Sequence, residues 1–262
     1  MKKALLVVSF GTRYEETRKK TIEAIEEDLK QAFPDRAYYR AWTSGRIIRS
    51  LAKTGYPVET MEEALDRMKA DGMTDLLVQP TYITPGKEYE AFLEKLDAAR
   101  KDFARVCVGR PLLAEEADKA AVLSALETIF ADIRGEEALV LMGHGTPHEA
   151  NRLYADLDRA FSERGHENWI MGTVEAVPSL ADVKKRLSAL GLKRVCLTPF
   201  LIVAGDHALG DMAGEEETSW LPQLEKEGYE VRTILRGLGE YPAIRQIFID
   251  HARLAAALGQ MA

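Results

Sequence analysis

Three residues in the second half of the chain have the types and the spacing to share one chemical task. His144 follows the apolar run 139–143, Glu175 follows 170–174 and His207 follows 195–204, and the intervals between them are 31 and 32 residues. A strand, a helix and two turns use roughly 30 residues, so this spacing delivers the three side chains from equivalent points on successive βα units, at one edge of a parallel sheet. Two imidazoles and a carboxylate form a donor set of borderline hardness, suited to a divalent first-row ion such as Co, Ni, Fe or Zn. With no thiolate in the set the ion is held loosely, which favours a metal in transit or in catalysis over a closed structural zinc. The first half adds Glu88, which stands after Pro80 as His207 stands after Pro199.

The segment Gly143-His144-Gly145-Thr146-Pro147-His148 puts the first imidazole on a turn between two glycines, which permit tight backbone approach and unusual dihedrals. The alternatives are a turn-stabilising role for His144 and helix-capping or surface roles for Glu88 and Glu175. Of the five histidines, His148, His166 and His251 read as structural or solvated. The turn is not a dinucleotide fingerprint, because His148 replaces the third glycine, and His148-Glu149 lacks the second His of a zincin helix. The chain also has neither a Gly-x-Ser-x-Gly nucleophile elbow nor a Walker loop, which removes the main support for serine hydrolase and P-loop readings. Arg13, Arg46, Arg49 and Lys87 lie in or near first-half loops and could meet acidic groups on a ligand. Phe10, Trp42, Tyr82, Ile83, Leu201, Ile202 and Val203 follow or end strands; each alone suits a core, and together they could wall a flat apolar ligand.

Composition narrows the partners. A formal charge of −7 over 262 residues gives no basic footprint for nucleic acid or a membrane surface. No apolar stretch approaches the ~18 residues that span a bilayer. Met1-Lys2-Lys3 followed by an apolar run imitates a secretory signal, but the run ends at Ser9, so it is expected to be the first strand. Cys107 and Cys196, each in an Arg-Val-Cys strand, read as buried small hydrophobes of a reducing compartment, the cytoplasm.

The elements that must position these groups come in two similar sets. Residues 4–12 lie over residues 138–146, Ala-Leu-Leu-Val-Val-Ser-Phe-Gly-Thr against Ala-Leu-Val-Leu-Met-Gly-His-Gly-Thr, at an offset of 134. A second match places Pro80 over Pro199 at an offset of 119, so the first half carries about one short helix more between these points. Strands are expected at 4–9, 37–42, 75–79 and 105–108, then at 138–142, 169–174, 194–198 and 230–235. Helical patterns are clearest at 14–33, 59–70, 89–103, 117–134, 149–164, 179–190 and 241–258. Near-continuous apolar strands alternating with helices predict an α/β protein of two similar doubly wound domains, each with a mostly parallel four-stranded sheet covered on both faces. The polar Arg134-Gly135-Glu136-Glu137 marks the expected boundary, giving domains 1–134 and 135–262, the second carrying the paired histidines.

Five segments in order resemble one known family: Leu-Val-Val-Ser-Phe-Gly-Thr (6–12), Thr-Ser-Gly-Arg-Ile-Ile-Arg (43–49), Met-Gly-His-Gly (142–145), Gly-Thr-Val-Glu (172–175) and Val-Ala-Gly-Asp-His-Ala (203–208). They are similar to the class II chelatases, closest to the cobalt-inserting members of anaerobic cobalamin synthesis, and the resemblance spans essentially the whole chain. It implies two α/β halves with the active site in a cleft between them. It also implies ATP-independent insertion of Co(II) into sirohydrochlorin or precorrin-2, with no cofactor beyond the substrate metal. His144, Glu175 and His207 match the metal-binding positions, and Glu88 matches a further active-site acid. On this reading His144 is both ligand and proton acceptor, Glu88 relays protons, and Phe10, Arg13, Arg46 and Lys87 meet the tetrapyrrole and its carboxylates. A non-catalytic cobalt or tetrapyrrole carrier and a zinc-type hydrolase are the rivals, and a homo-oligomer is left open.

Overall fold

The computed structural model describes residues 1–258, which form two compact units, Met1–Ala114 with the segment from Ile244 onward, and Glu115–Ala243. Unit 1 contains β1 (Lys3–Ser9), α1 (Glu15–Lys20), α2 (Ile22–Ala32), β2 (Ala37–Trp42), α3 (Gly45–Lys53), α4 (Met61–Ala70), β3 (Asp75–Pro80), α5 (Lys87–Ala99) and β4 (Arg105–Val108). Unit 2 contains α6 (Glu116–Ile129), β5 (Glu137–Gly143), α7 (Arg152–Glu163), β6 (Trp169–Thr173), α8 (Leu180–Leu190), β7 (Arg194–Pro199), α9 (Trp220–Lys226) and β8 (Glu230–Thr233). The chain then returns to unit 1 through α10 (Pro242–Arg253) and β9 (Ala256–Ala257).

The two sheets repeat one topology. Strand order is β2-β1-β3-β4-β9 in unit 1 and β6-β5-β7-β8 in unit 2, and every pairing except β4 with β9 is parallel. In the central strands Leu6 lies between Tyr39 and Val78, as Val140 lies between Ile170 and Leu197. Ala4–Val8 and Ala138–Met142 are wholly buried, as strands covered on both faces must be, which is why they read as unbroken apolar runs. Cys107 and Cys196 are free and buried in β4 and β7. Burial pushes the Cys196 thiol up to about 12.

The expected boundary at residue 134 is corrected to 114, and the last helix belongs to the first unit. Helix α6 packs with unit 2: Phe130, at its end, meets the edge of the Trp169 ring at 6.3 Å, and Glu127 pairs with Arg164 at 3.1 Å. The expected terminal helix stops at Arg253, and Ala256–Ala257 adds an antiparallel fifth strand to the unit 1 sheet by pairing with β4. The extra stretch in the first half is α3, which has no counterpart between β6 and β7. The predicted helix over 14–33 breaks at Thr21, whose hydroxyl donates to the Thr17 carbonyl at 2.6 Å, a local bond that competes with the helix ladder.

Candidate metal centre

His144 is the first residue past β5. Its backbone is fixed on both sides. Gly143 packs so closely on Tyr154 of α7 that a Cβ there would stand 2.5 Å from the ring. Gly145 has φ +81°, and a Cβ on it would meet the Ala176 nitrogen at 2.9 Å. The Gly145 carbonyl lies 2.7 Å from His144 Nδ1. A carbonyl can only accept, so Nδ1 carries the proton and the lone pair is left on Nε2.

Glu175 is held beside it by backbone bonds that extend the β5–β6 ladder past the strands: Val174 N–H donates to Gly143 O at 3.0 Å and Glu175 N–H to His144 O at 2.9 Å. His144 Nε2 lies 3.8 Å from Glu175 Oε1.

His207 opens a wide π-helical turn, His207–Met212, in which Ala213 N–H reaches back to Ala208 O at 3.2 Å. The turn brings Asp211 Oδ2 to 2.7 Å from His207 Nδ1, so this imidazole too presents Nε2. Buried Ser219 fixes the turn by donating its hydroxyl to Gly210 O at 2.8 Å, and Gly214 leaves room for the same carbonyl. The connection from β7 is pinned where Phe200 N–H donates to Met142 O at 2.7 Å and where Leu238 and Gly239 N–H donate to Leu201 and Ile202 O.

These placements put the His144 and His207 rings edge to face with centroids 4.5 Å apart. One ligand atom from each of His144, Glu175 and His207 falls within 4.8 Å of the others, the one such His/Cys/Asp/Glu cluster among the described residues. Bonds of about 2.1 Å to a shared ion require only side-chain rotation to close that spread. The three sit half-buried or exposed at the carboxyl ends of neighbouring strands, open to an incoming ligand.

The remaining expected site residues belong to unit 1 and all lie past the carboxyl ends of its strands. Phe10 is half exposed after β1. Arg13 lies in the same loop with its guanidinium 5.2 Å from the centre of the Tyr14 ring. Arg46 is in the first turn of α3, and Lys87 and Glu88 are exposed in the first turn of α5. His148 caps the turn at Glu149–Asn151, His166 stacks on Trp169, and His251 is buried in α10 with Nδ1 3.2 Å from the Arg110 carbonyl. Sequence reasoning named Asp211 only as part of a motif and gave Asn151 no role. The spacing of Asp211 four residues after His207 is the signal that points to the first.

Comparison with known proteins places this geometry. A family model described as cobalt chelatase (CbiK) matches residues 3–257. The sirohydrochlorin cobaltochelatase of Salmonella typhimurium is 40% identical over 256 residues, 97% of this chain and 97% of that protein. Sirohydrochlorin cobaltochelatase CbiKC of Nitratidesulfovibrio vulgaris is 33% identical over 259 residues, 98% of this chain and 91% of that one. Among solved structures, SirB from Bacillus subtilis with Fe3+ superposes with a TM-score of 0.66 at 18% identity, covering 97% of this chain and 95% of that chain. CbiX, described as the terminal enzyme of siroheme biosynthesis in denitrifying bacteria, gives 0.56 at 17% identity, covering 97% and 100%. At these identities the two structures speak for the fold alone. The sequence matches go further, and with nearly every residue covered the chain belongs to the cobalt chelatase (CbiK) family.

Proposed function

We infer that this protein inserts Co(II) into sirohydrochlorin, in the anaerobic branch of cobalamin synthesis. The observation that carries the reading is the meeting of His144, Glu175 and His207 at one edge of the unit 2 sheet in a chain of this family. Insertion exchanges two pyrrole N–H protons for one divalent ion, so the site must present the ion, take up protons and favour a deformed ring.

The residues suit these tasks. His144 and His207 offer Nε2, each with Nδ1 already engaged, and Glu175 adds one negative charge. A site of three donors without thiolate releases its ion readily, as an enzyme that gives its metal away requires. As the ion passes to the ring, the vacated Nε2 atoms stand where protons leave, so His144 serves in turn as ligand and proton acceptor. Glu88 supplies a further acid, and Arg13, Arg46 and Lys87 supply cations of the kind a polycarboxylate ring needs; Phe10 offers an exposed apolar face. Tight binding of the distorted ring alone lowers the barrier, since equal binding of the flat ring gains nothing. The reaction as read uses no ATP, in keeping with a sequence that has no Walker loop.

An absorbance time course of the purified protein with sirohydrochlorin and a panel of divalent metals tests this. Catalytic excess of cobalt-ring product is expected from the wild type, and at least a hundredfold slower formation from His144→Ala. Product that stops at one equivalent identifies a carrier, and an unimpaired His144→Ala removes that residue from the mechanism.

A further inference from the structure

Two of the three proposed ligands stand on loops that the strands alone do not hold together beyond Glu175, and one side chain spans the gap. Asn151 Oδ1 accepts from the Thr146 N–H at 3.1 Å, and its Nδ2 donates to the Val177 carbonyl at 2.6 Å. Thr146 lies two residues after His144 and Val177 two residues after Glu175. The amide orientation is not ambiguous: an N–H needs the oxygen and a carbonyl needs the NH2.

The rest of both loops is fixed so that this link counts. On the His144 side, His148 N–H bonds to Thr146 Oγ1 at 3.2 Å, Ala150 N–H bonds to His148 Nδ1 at 3.1 Å, and Asn151 N–H bonds to His148 O at 2.9 Å, which ties the loop to the start of α7. On the Glu175 side, the Pro178 carbonyl folds back onto Thr173 N–H at 2.6 Å. Each loop is therefore stiff within itself, and Asn151 joins them outside the last ladder bond, Glu175 N–H to His144 O.

We propose that Asn151 is a positioning residue of the metal centre, a clasp that sets the separation of His144 and Glu175 through the two loops that carry them. Only a primary amide of this length makes both bonds; a carboxylate keeps the acceptor and turns a second oxygen toward the Val177 carbonyl. The inference rests on the metal-site reading above, and its test separates the two.

The full-length wild type, His144→Ala, Asn151→Asp and Asn151→Ala chains are titrated with Co(II) alone, following the d–d absorption of the bound ion, with melting temperatures recorded alongside. The wild type is expected to bind one equivalent and His144→Ala to lose it; failure of that pair overturns the metal-site reading itself. Given that pair, both Asn151 variants are expected to raise the cobalt Kd about tenfold, the lower end of the roughly 10–100-fold range for outer-shell partners, and to alter the d–d bands. A lowered melting temperature with unchanged Kd and unchanged bands makes Asn151 a purely structural residue and overturns the clasp. Should neither variant fold, amide exchange at Thr146 in the wild type decides. Protection that deepens on cobalt loading supports the clasp, and equal protection with and without cobalt overturns it.

Discussion

His144 and His207 differ in what holds their far nitrogen. A neutral carbonyl, that of Gly145, faces Nδ1 of the first, and the Asp211 carboxylate faces Nδ1 of the second. A carboxylate partner raises the electron density an imidazole offers a metal, so His207 is the stronger donor of the two. Asp211→Ala is accordingly expected to weaken cobalt binding by about 10–100-fold while leaving the affinity for sirohydrochlorin unchanged, read by separate titrations of the two ligands. Gly145 has a different task, since its carbonyl can face His144 only from a left-handed backbone. Gly145→Ala adds a Cβ 2.9 Å from the Ala176 nitrogen at φ +81° and is expected to cost about 1–3 kcal/mol of stability, measured by denaturant unfolding. The cobalt affinity should fall with it, because the carbonyl and the Ala176 backbone cannot both keep their places.

At the scale of elements, unit 2 is tied to α6 by a cluster that depends on pH. Glu127 of α6 bonds to Arg164 at 3.1 Å and to His166 at 2.9 Å, and the Arg164 guanidinium, with His166 second, holds its carboxyl below the ordinary 4.5. A depressed carboxylate contributes stability that is present above the unfolded value and is lost as pH falls through the folded one. Glu127→Gln is therefore expected to melt below wild type at pH 7, with the gap closing as the pH drops well below 4.5. Elements differ in how far the sequence discloses them. The eight parallel strands were legible because each is an apolar run buried on both faces, and their spacing exposed His144, Glu175 and His207 as strand-end groups. Helix α3 was not, since it opens on Gly45 and buries only Leu51, although Ser44 is a serviceable N-cap. Two-residue β9 is too short to leave an alternation, and α9 carries Pro222 near its start. Asn151 and Asp211 stayed hidden for a related reason. Their roles arise from a 3₁₀ turn and a π turn, which impose no periodic pattern on the sequence.

For the whole molecule the decisive fact is that the proposed ligands, their orienting partners and the Asn151 clasp all fall within Glu115–Ala243, one continuous stretch with its own sheet and core. Residues 115–243 produced alone are expected to fold and to bind one Co(II) within about tenfold of the full chain's affinity, yet to form no metallated ring, since Glu88 and the cations of unit 1 are missing. A cobalt titration and an insertion assay on that segment check the two halves of the statement. Unit 1 has no such independence. Its C-terminal helix buries Ile244, Ile247, Phe248 and Ile249, and at about 1.5–3 kcal/mol for each large apolar side chain that burial matches the entire stability of an ordinary domain. During synthesis the order of completion is thus reversed. The half that leaves the ribosome first must wait, its sheet edge unpaired, until Ala256–Ala257 arrives, while the half that emerges later is already able to take up its ion.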